Sequence, residues 1–315
     1  MSKYLSIIVP VYNEAENLRL LNDKIKEALS SQDISYEVIY VDDCSNDGSY
    51  EVLQELAKSE ENVTVVKFKR NFGQTAAMSA GFDYANGEII VPIDADLQND
   101  PQDILPMIEK YKKGYDIVSG WRKSRKDNAI RNVFSQIANK LISNLTGTNL
   151  HDSGCTLKVY NAKILKNIKL YGELHRFIPA LAALDGATIV EMPVRHHPRI
   201  HGQSKYNLSR TSRVISDLLT IMFLKNYRTK PMHFFGGLAL GTFLLILGSL
   251  FLLLLNAYIP IITIDYALAA IIEIIFFVFA LQLICLGLVS EILMRSYYES
   301  QNKKIYTIDK TSRVE

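Results

Sequence analysis

The sequence predicts an α/β fold in which a mostly parallel sheet carries helices on its faces and is followed by two membrane-spanning helices. Two observations lead to this prediction. Short apolar runs that suit strands alternate with helix-like segments through about the first 120 residues, which is typical of a parallel sheet. The last third of the chain contains two apolar stretches, each longer than the roughly 20 residues that cross the hydrocarbon core of a membrane.

The individual elements follow from this alternation along the chain. Runs of β-branched and apolar residues bounded by turn formers indicate strands, and apolar residues at helical spacing indicate helices. The predicted strands are residues 5–11, 36–41, 63–68, 88–93, 116–119, 156–160 and 188–193. The predicted helices are residues 16–30, 49–59, 75–85 and 133–145. The sequence has neither GxGxxG after the first strand nor GxxxxGK[ST], which argues against a dinucleotide-binding dehydrogenase and a P-loop nucleotide hydrolase.

The composition excludes some other classes of protein. A net charge of +2 over 315 residues indicates no broad basic surface, so nucleic acid is not a predicted partner. Cys44, Cys155 and Cys285 lack the spacing of metal ligands and are predicted to be reduced thiols. The chain opens directly on an apolar strand-like run, so we expect no signal peptide and a cytoplasmic soluble part.

Polar side chains follow each of the first four predicted strands. Because parallel strands end at one edge of a sheet, where ligands bind, these side chains are expected to line one cleft. Loops are polar in most proteins, but that tendency does not explain the repeated carboxylates. The members of the cluster are Asn13, Glu14, Asp42, Asp43, Arg70, Asn71, Gln74, Asp94 and Asp96.

Two carboxylates, Asp94 and Asp96, end the fourth strand. Alternation along an extended chain would place both on one side, with Ala95 facing away. Two hard oxygen ligands in this arrangement suit Mg²⁺ or Mn²⁺ carrying a substrate diphosphate. An Asp-x-Asp pair is common, however, and an acidic loop after a strand is the alternative interpretation.

Two basic loops lie further along the chain, at residues 120–126 with Arg131 and at residues 195–206. Their arginine and lysine side chains suit a clamp for phosphate, whereas a solvated loop is the alternative. Adjacent histidines in the second loop would also suit a metal. Binding of an anionic substrate agrees better with its surplus of Arg and Lys and with the mobility that Gly202 gives.

The C-terminal third is predicted to be the membrane part. Residues 211–225 have amphipathic helical spacing, which suits an interfacial helix or an ordinary domain helix. Residues 232–255 and 267–294 are the predicted spans. Lys and Arg precede the first span and follow the second, with none between them, so the positive-inside rule puts both chain ends in the cytoplasm. Glycines in the spans and Glu273 favour helix contact or self-association as a homo-oligomer.

Four motifs, in this order, resemble those of family 2 glycosyltransferases with the Rossmann-like GT-A fold. The motifs are residues 9–14, 42–48, 71–74 and 94–98. The loop of residues 202–206 and the paired spans narrow the resemblance to polyprenyl-phosphate glycosyltransferases: relatives of dolichol-phosphate mannose synthase and, more closely, bacterial undecaprenyl-phosphate glucosyltransferases. The resemblance covers essentially the whole chain. The Gln-x-x-Arg-Trp signature of processive synthases is absent, which disfavours a polymerase.

The resemblance implies a metal-dependent, inverting transfer of one sugar from a nucleotide sugar to undecaprenyl phosphate. The reaction would take place at the cytoplasmic face of the inner membrane and serve the modification of cell-surface glycans. UDP-glucose is the favoured donor, while GDP-mannose, a UDP-N-acetylhexosamine and a modified pentose donor stay open. A non-catalytic membrane scaffold with a nucleotide-binding fold is the alternative from another class of protein.

The resemblance also implies roles for individual residues. The nucleotide sugar would contact Pro10, Tyr12, Glu14, Asp42, Asp43, Arg70, Gln74 and Asp94. Mg²⁺ or Mn²⁺ would be held by Asp96 and Gln98, with Asp94 as a further ligand or a contact of the ribose or sugar. The acceptor phosphate would meet Arg122, Arg125, Arg131, Arg199, Ser204 and Lys205. The catalytic candidates are Asp94, Asp96, Arg122, Lys205 and Asp152, the last as a base if a carboxylate assists.

The same resemblance implies the division of the chain. A GT-A catalytic domain would cover residues 1–208 and an amphipathic juxtamembrane segment residues 209–230. The transmembrane helices would be residues 231–256 and 266–294, followed by a cytoplasmic tail at 295–315.

Overall fold

The computed structural model forms two compact units, which divide between Ile221 and Met222. The residues that it describes are 3–123, 150–168, 170, 172, 174–200, 220, 222–224, 226–227, 230–259, 263 and 265–300. The predicted helix at 133–145 lies outside the described residues, as does most of the predicted amphipathic segment at 211–225.

The first unit is built on a seven-stranded sheet with the order β3-β2-β1-β4-β6-β5-β7. The strands are β1 (Leu5–Val11), β2 (Tyr36–Asp42), β3 (Val63–Lys67), β4 (Ile89–Pro92), β5 (Ile117–Trp121), β6 (Lys158–Asn161) and β7 (Ile189–Pro193). All seven predicted strands are therefore present, and their bounds agree with the prediction to within two residues. The pairs β1–β2, β1–β4, β2–β3 and β5–β7 are parallel, which confirms a mostly parallel sheet.

Helices cover the sheet on both faces. They are α1 (Ala15–Leu29), α2 (Ser49–Ser59), α3 (Gln74–Tyr84), α4 (Ile104–Tyr111), α5 (Ala162–Asn167) and α6 (Ile178–Leu184), with short 3₁₀ turns at Pro101–Asp103 and Leu174–Phe177. Alternate residues of β1 enter different cores: Ile7 packs in the core that includes Leu21 of α1, and Ile8 in the core that includes Met78 of α3. Burial on both faces explains why this strand is a continuous apolar run.

Strand β6 runs antiparallel to both of its neighbours, β4 and β5, a feature that the sequence analysis did not predict. Ile90 of β4 pairs with Tyr160 of β6, so the two strands progress in opposite directions. The beginning of β6, and not its end, therefore lies at the carboxyl edge of β4. This reversal brings the segment before β6 to the edge where the ends of β1, β2 and β4 converge.

The close approach of β5 to the segment before β6 depends on Gly120. The amide of Gly120 donates to the carbonyl oxygen of Leu157 at 3.0 Å. A Cβ at Gly120 would lie 2.7 Å from that oxygen and 3.0 Å from Cys155 Sγ. The backbone on one side and the buried thiol on the other leave no room for a methyl group.

We expect Gly120→Ala to lower the free energy of unfolding by about 1–3 kcal/mol, the usual cost of overpacking a filled site. Thermal unfolding of the detergent-solubilised protein measures this loss. Gly241→Ala is the matched control, because an added Cβ there meets no atom within 4 Å. Equal melting temperatures for the two variants would show that the strands can separate at no cost.

The described residues of the second unit include two long helices, α7 (Pro231–Tyr258) and α8 (Tyr266–Ser300), which are long and apolar enough to span a membrane. Most of their leucine, isoleucine and phenylalanine side chains are exposed, unlike those of a buried core helix. Ser249 of α7 donates to the Glu273 carboxylate of α8, so Glu273 contacts the neighbouring helix of its own chain. Phe243 and Phe277 also meet between the helices, edge to face, with ring centroids 5.9 Å apart.

Candidate active site

A pocket of about 720 Å³ opens in the first unit at the carboxyl edge of β1, β2 and β4. Ten of the residues predicted for the site line it: Pro10, Tyr12, Glu14, Asp43, Gln74, Asp94, Asp96, Gln98, Arg122 and Arg199. In the structure, the ends of β1, β2 and β4 therefore converge on one pocket, as the sequence predicted.

Other predicted site residues lie elsewhere or outside the described part of the chain. Asp42 is fully buried at the end of β2, where its Oδ1 accepts the amide of Ser45 at 3.2 Å, and it does not line the pocket. Arg70 is exposed and its guanidinium lies 4.6 Å from the centroid of the Phe72 ring. The residues outside the described ranges are Arg125, Arg131, Ser204 and Lys205.

The loops after β1 and β2 are tied together by side-chain caps. The carboxylate of Asp47 accepts the amide of Ala15 at 3.1 Å and the amide of Ser49 at 3.0 Å, at the first turns of α1 and α2. A carboxylate is favourable there because the first amides of a helix lack partners within the helix. These contacts hold the two strand ends side by side at one wall of the pocket.

Asp43 fixes the next loop to the same wall. Its carboxylate accepts the amides of Phe72 at 2.6 Å and Gly73 at 2.8 Å, immediately before α3 begins. Burial raises the pKa of Asp43 above its ordinary value, although the two amides act in the opposite direction. Asp43, the residue after β2, therefore holds the loop that precedes α3 at the pocket.

The carboxylates Asp94 and Asp96 face the pocket from a turn, and the predicted extended geometry is wrong. The β4 ladder continues only to the amide of Ile93, which donates to Ile8, and the chain then turns with Leu97 at a φ of 61°. Ala95 borders the pocket, but it is itself buried and packs in the core that includes Ile7. The turn, not strand alternation, brings the two carboxylates together.

Each of these carboxylates has protein donors. Asp94 accepts Gln74 Nε2 at 2.9 Å on one oxygen and Thr156 Oγ1 at 2.7 Å on the other. Asp96 accepts the amide of Gln98 at 3.1 Å and Arg199 Nη2 at 2.6 Å. Burial and the nearby negative charge of Asp96 raise the pKa of Asp94 to about 6.

This donor set fits a divalent cation. Two carboxylates that repel each other in a buried pocket are stabilised by a positive charge between or beside them. Gln98 lines the same pocket, and its side-chain amide would supply a neutral oxygen. Oxygen donors of this kind are those that Mg²⁺ and Mn²⁺ prefer.

Arg122 enters the pocket from the end of β5 and is held by Asp152. Its Nε and Nη2 donate to the two carboxylate oxygens of Asp152 at 2.7 and 2.8 Å, and its amide donates to the same carboxylate at 3.2 Å. Only 12% of the Arg122 side chain and 8% of the Asp152 side chain are exposed. Burial opposes the charge on Asp152, but the hydrogen bonds and charge of Arg122 outweigh it and hold the pKa of Asp152 below its ordinary value. A carboxylate that is paired in this way is a weak proton acceptor.

The Arg122–Asp152 pair predicts a pH-dependent contribution to stability. A carboxyl group with a lowered pKa stabilises the folded state above its unfolded pKa and loses that contribution as the pH falls through its folded pKa. We expect Asp152→Asn to lower the free energy of unfolding by about 3–5 kcal/mol at neutral pH, because the variant leaves a buried guanidinium without its counter-charge. The difference from the unaltered protein should shrink once the pH falls below the ordinary aspartate pKa of 3.8.

Thermal unfolding between pH 7 and pH 3 measures this difference. Asp33→Asn is the control for general acid effects, since Asp33 is exposed. A difference that stays constant over the whole range would contradict the lowered pKa of Asp152.

Several pocket residues were missed by the sequence analysis because they lie before or at the start of β6 or in the 3₁₀ turn. Thr156 and Lys158 reach the pocket only because β6 is antiparallel, and His175 and Arg176 line it from Leu174–Phe177. Lys158 is 2% exposed and donates to the carbonyl oxygens of Ser153, at 3.2 Å, and of Cys155. Burial lowers the pKa of Lys158. A lysine inside a predicted apolar strand was the sequence feature that could have indicated Lys158 as a site residue.

His175 has a defined partner. Its Nδ1 lies 2.6 Å from Thr75 Oγ1, and both residues are buried. This contact joins the first turn of α3, which contains Gln74, to the 3₁₀ turn, which contains Arg176.

The first part of the second basic loop packs beside the carboxylate turn. The amide of His197 donates to the Gln98 carbonyl at 2.9 Å, and Arg195 binds Asp103 through Nη2 at 2.8 Å. His197 Nε2 lies 3.0 Å from Asp100 Oδ2. Arg195 and His197 thus anchor the loop, and Arg199 is the described cation of this loop that reaches Asp96.

Comparisons with known proteins agree with this site. The model of the family described as glycosyl transferase family 2 matches residues 6–169. The chain is 41% identical over 314 residues to dodecaprenyl-phosphate galacturonate synthase of Rhizobium johnstonii, a match that covers 96% of this chain and 91% of that protein. It is 34% identical over 315 residues to undecaprenyl-phosphate 4-deoxy-4-formamido-L-arabinose transferase of Aeromonas hydrophila, covering 99% of this chain and 94% of that protein.

Among solved structures, the mannosyltransferase PcManGT from Pyrobaculum calidifontis, in complex with GDP-Man and Mn²⁺, is similar in fold. It has a TM-score of 0.51 and 22% identity, and the match covers 72% of this chain and 65% of that one. The first unit therefore has a GT-A-like fold. Because the family model and the relatives of nearly full length agree, the chain belongs to glycosyl transferase family 2 and is a glycosyltransferase.

Proposed function

We propose that this glycosyltransferase moves one sugar from a nucleotide sugar to a polyprenyl phosphate at the inner membrane, with inversion at the anomeric carbon. The observation that carries the proposal is the meeting, in one pocket, of two carboxylates, Asp94 and Asp96, with two arginines, Arg122 and Arg199. Carboxylates suit a metal-bound diphosphate, and arginines suit an acceptor phosphate. The relatives named for transfer to dodecaprenyl and undecaprenyl phosphates support this acceptor.

The sheet order suggests how the donor lies. Pro10, Tyr12, Glu14 and Asp43 line the pocket at the exits of β1 and β2, so we assign the nucleoside to that side. Strand β6 lies on the other side of β4, and we assign the sugar to the wall near Thr156. Roles in donor binding for Asp42 and Arg70, which do not line the pocket, stay predictions.

Asp96 and Gln98 are our proposed ligands for the divalent cation, Mg²⁺ or Mn²⁺. Each of the two carboxylates, Asp94 and Asp96, already accepts one hydrogen bond on each oxygen, so the choice of Asp96 follows the motif resemblance. Asp94 is proposed as a further ligand or as a contact of the ribose or sugar beside the metal. When bound, the cation would offset the charge that develops on the leaving diphosphate. The Mn²⁺ in the mannosyltransferase of similar fold is consistent with this assignment.

The acceptor needs little general-base assistance. A phosphate monoester has a second pKa of about 6 and is largely ionised near neutrality, so its oxygen is already a nucleophile. Arg122 and Arg199 would orient it for attack on the anomeric carbon from the side opposite the diphosphate. We therefore assign Asp152 to holding Arg122 and not to accepting a proton. Arg125, Arg131, Ser204 and Lys205 remain predicted acceptor contacts.

The donor sugar is the finer part of the proposal. The motifs do not distinguish the donors, and only the closeness of the family resemblance favours UDP-glucose. The relatives, in contrast, are named for galacturonate and 4-deoxy-4-formamido-L-arabinose. We propose that a uronic acid or a modified pentose is transferred in preference to glucose, because both of those relatives match the chain over nearly its full length.

The helices α7 and α8 supply the membrane attachment in this proposal. The catalytic domain at residues 1–208 and both chain ends would lie in the cytoplasm, with the loop between the helices outside, since Lys and Arg are confined to the outer flanks of the pair. The segment 209–230 would lie at the membrane surface, where basic side chains meet anionic headgroups.

The test incubates detergent-solubilised protein with Mg²⁺ or Mn²⁺, undecaprenyl phosphate and labelled donors. The donor panel is UDP-galacturonate, UDP-4-deoxy-4-formamido-L-arabinose, UDP-glucose, UDP-N-acetylglucosamine and GDP-mannose. Label that enters the lipid phase only with metal present supports the reaction and identifies the sugar. If the protein transfers sugar from none of these donors and calorimetry shows that it binds none of them, the proposal is overturned. A membrane scaffold would then be favoured.

A further inference from the structure

Glu191 of β7 holds the backbone beside the pocket without lining the pocket itself. One carboxylate oxygen accepts the amide of His151 at 2.7 Å and the amide of Asp152 at 3.2 Å. The other oxygen lies 2.7 Å from His151 Nδ1. Only 10% of the Glu191 side chain is exposed, whereas 65% of the His151 side chain is.

The two amides that Glu191 binds precede the carboxylate that holds Arg122. Asp152 accepts Arg122 Nε and Nη2 in a two-point contact, which fixes both the position and the plane of the guanidinium. Trp121, at the end of β5 next to Arg122, stacks its ring on the His151 ring with centroids 4.6 Å apart. Glu191, His151 and Asp152 therefore form a continuous path of contacts from β7 to the guanidinium in the pocket.

We infer that Glu191 is a positioning residue that acts through Asp152 to orient Arg122 toward the acceptor phosphate. This inference rests on the proposed function, in which Arg122 receives that phosphate. Glu191 has no need to touch substrate, because its oxygens are used by the backbone amides and the imidazole. A shift of Asp152 would rotate or displace the guanidinium, and small displacements of a group that orients a reactant are costly to rate.

The geometry indicates that the contact with the two amides depends on the length of the Glu191 side chain and not on its charge. Two amide N–H groups need one acceptor oxygen at the reach of a glutamate, and a glutamine supplies the same oxygen. The amide nitrogen of glutamine would face His151 Nδ1, which accepts a hydrogen bond in one neutral tautomer. An aspartate keeps the charge but is one methylene shorter, so it cannot reach both amides in this backbone arrangement.

The experiment compares Glu191→Gln, Glu191→Asp and Glu191→Ala in the full chain in detergent. Farnesyl phosphate binding and UDP binding, both with Mn²⁺ present, are measured by calorimetry, and sugar transfer is measured with the best donor of the panel. We expect Glu191→Asp and Glu191→Ala to weaken farnesyl phosphate binding by about 10- to 100-fold, with UDP affinity unchanged. Glu191→Gln should stay within about threefold of the unaltered protein, a change of less than 1 kcal/mol. Glu109→Gln is the matched control, since Glu109 forms an exposed pair with Lys112.

A double variant separates positioning from general stabilisation. If Glu191 acts through Arg122, then Glu191→Asp should have little further effect on farnesyl phosphate binding once Arg122→Lys is present. A merely structural role would instead lower the affinities for UDP and farnesyl phosphate together and would add to the effect of Arg122→Lys. Should Glu191→Ala fail to fold, the Asp and Gln variants still carry the comparison.

The outcomes also separate this inference from the proposed function. Normal farnesyl phosphate binding by Glu191→Asp, or a loss in Glu191→Gln as large as in Glu191→Asp, would overturn the inference even if the unaltered protein transfers sugar. If the unaltered protein binds farnesyl phosphate but transfers no sugar from any donor, and Glu191→Asp and Glu191→Ala weaken that binding while Glu191→Gln does not, the inference stands and the proposed reaction falls.

Discussion

The Asp96→Asn variant is expected to lose sugar transfer by about 10³-fold, the larger of the two main effects that we predict. The substitution preserves the size of the side chain and one oxygen, but removes the charge that faces Arg199 Nη2 and the proposed metal. Stabilisation of a leaving diphosphate by a metal is worth several kcal/mol, and each 1.4 kcal/mol corresponds to a tenfold change in rate. The initial rate at which labelled sugar enters the lipid phase measures this loss.

Binding of Mn²⁺ to the same variant gives a second readout that does not depend on turnover. We expect Asp96→Asn to weaken Mn²⁺ binding in titrations followed by electron paramagnetic resonance, with UDP present. Asp83→Asn is the control, because Asp83 is exposed on α3. Normal transfer and normal Mn²⁺ affinity in Asp96→Asn would remove Asp96 from the site.

Arg122→Lys is expected to lower kcat/KM for the lipid acceptor by about 10- to 100-fold. A lysine keeps the positive charge but cannot make the two-point contact that Arg122 makes with Asp152 through Nε and Nη2. The loss corresponds to about 1.5–3 kcal/mol, the usual worth of a hydrogen bond to a charged group. Because the nucleoside is assigned to the opposite wall, UDP affinity should be unchanged.

Kinetics at varied acceptor and fixed donor concentration test this prediction. Arg19→Lys is the control, since Arg19 forms an exposed pair with Glu55. An Arg122→Lys variant that loses UDP affinity but keeps its KM for the acceptor would place Arg122 at the donor and not at the acceptor phosphate.

Local patterns in the sequence determined the elements and the edge at which the site lies. The apolar run of β1 and the turn formers after β2 mark their elements through burial and backbone preference, both of which act over a few residues. Parallel strands must then place their exits at one edge, so Glu14, Asp43 and Asp94 could be assigned to one pocket. The two candidate membrane-spanning helices could also be recognised from the sequence, because length and apolar composition alone define them.

Only the tertiary structure decided which side chains work together. Thr156 reaches Asp94 because β6 runs antiparallel, and strand direction depends on pairing between residues far apart in the chain. The expected extended geometry of Asp94 and Asp96 also depends on pairing between distant residues. The pairing with β1 ends at Ile93, and the chain beyond it is free to turn at Leu97.

The role of Asp152 shows the same limit at the level of chemistry. From the sequence, the family resemblance implied Asp152 only as a base, if a carboxylate assists. The two-point contact with Arg122 and the amides bound by Glu191, about 40 residues away along the chain, favour a partner for a cation. A side chain's chemistry depends on its neighbours and its burial, and those are properties of the folded chain that no local pattern encodes.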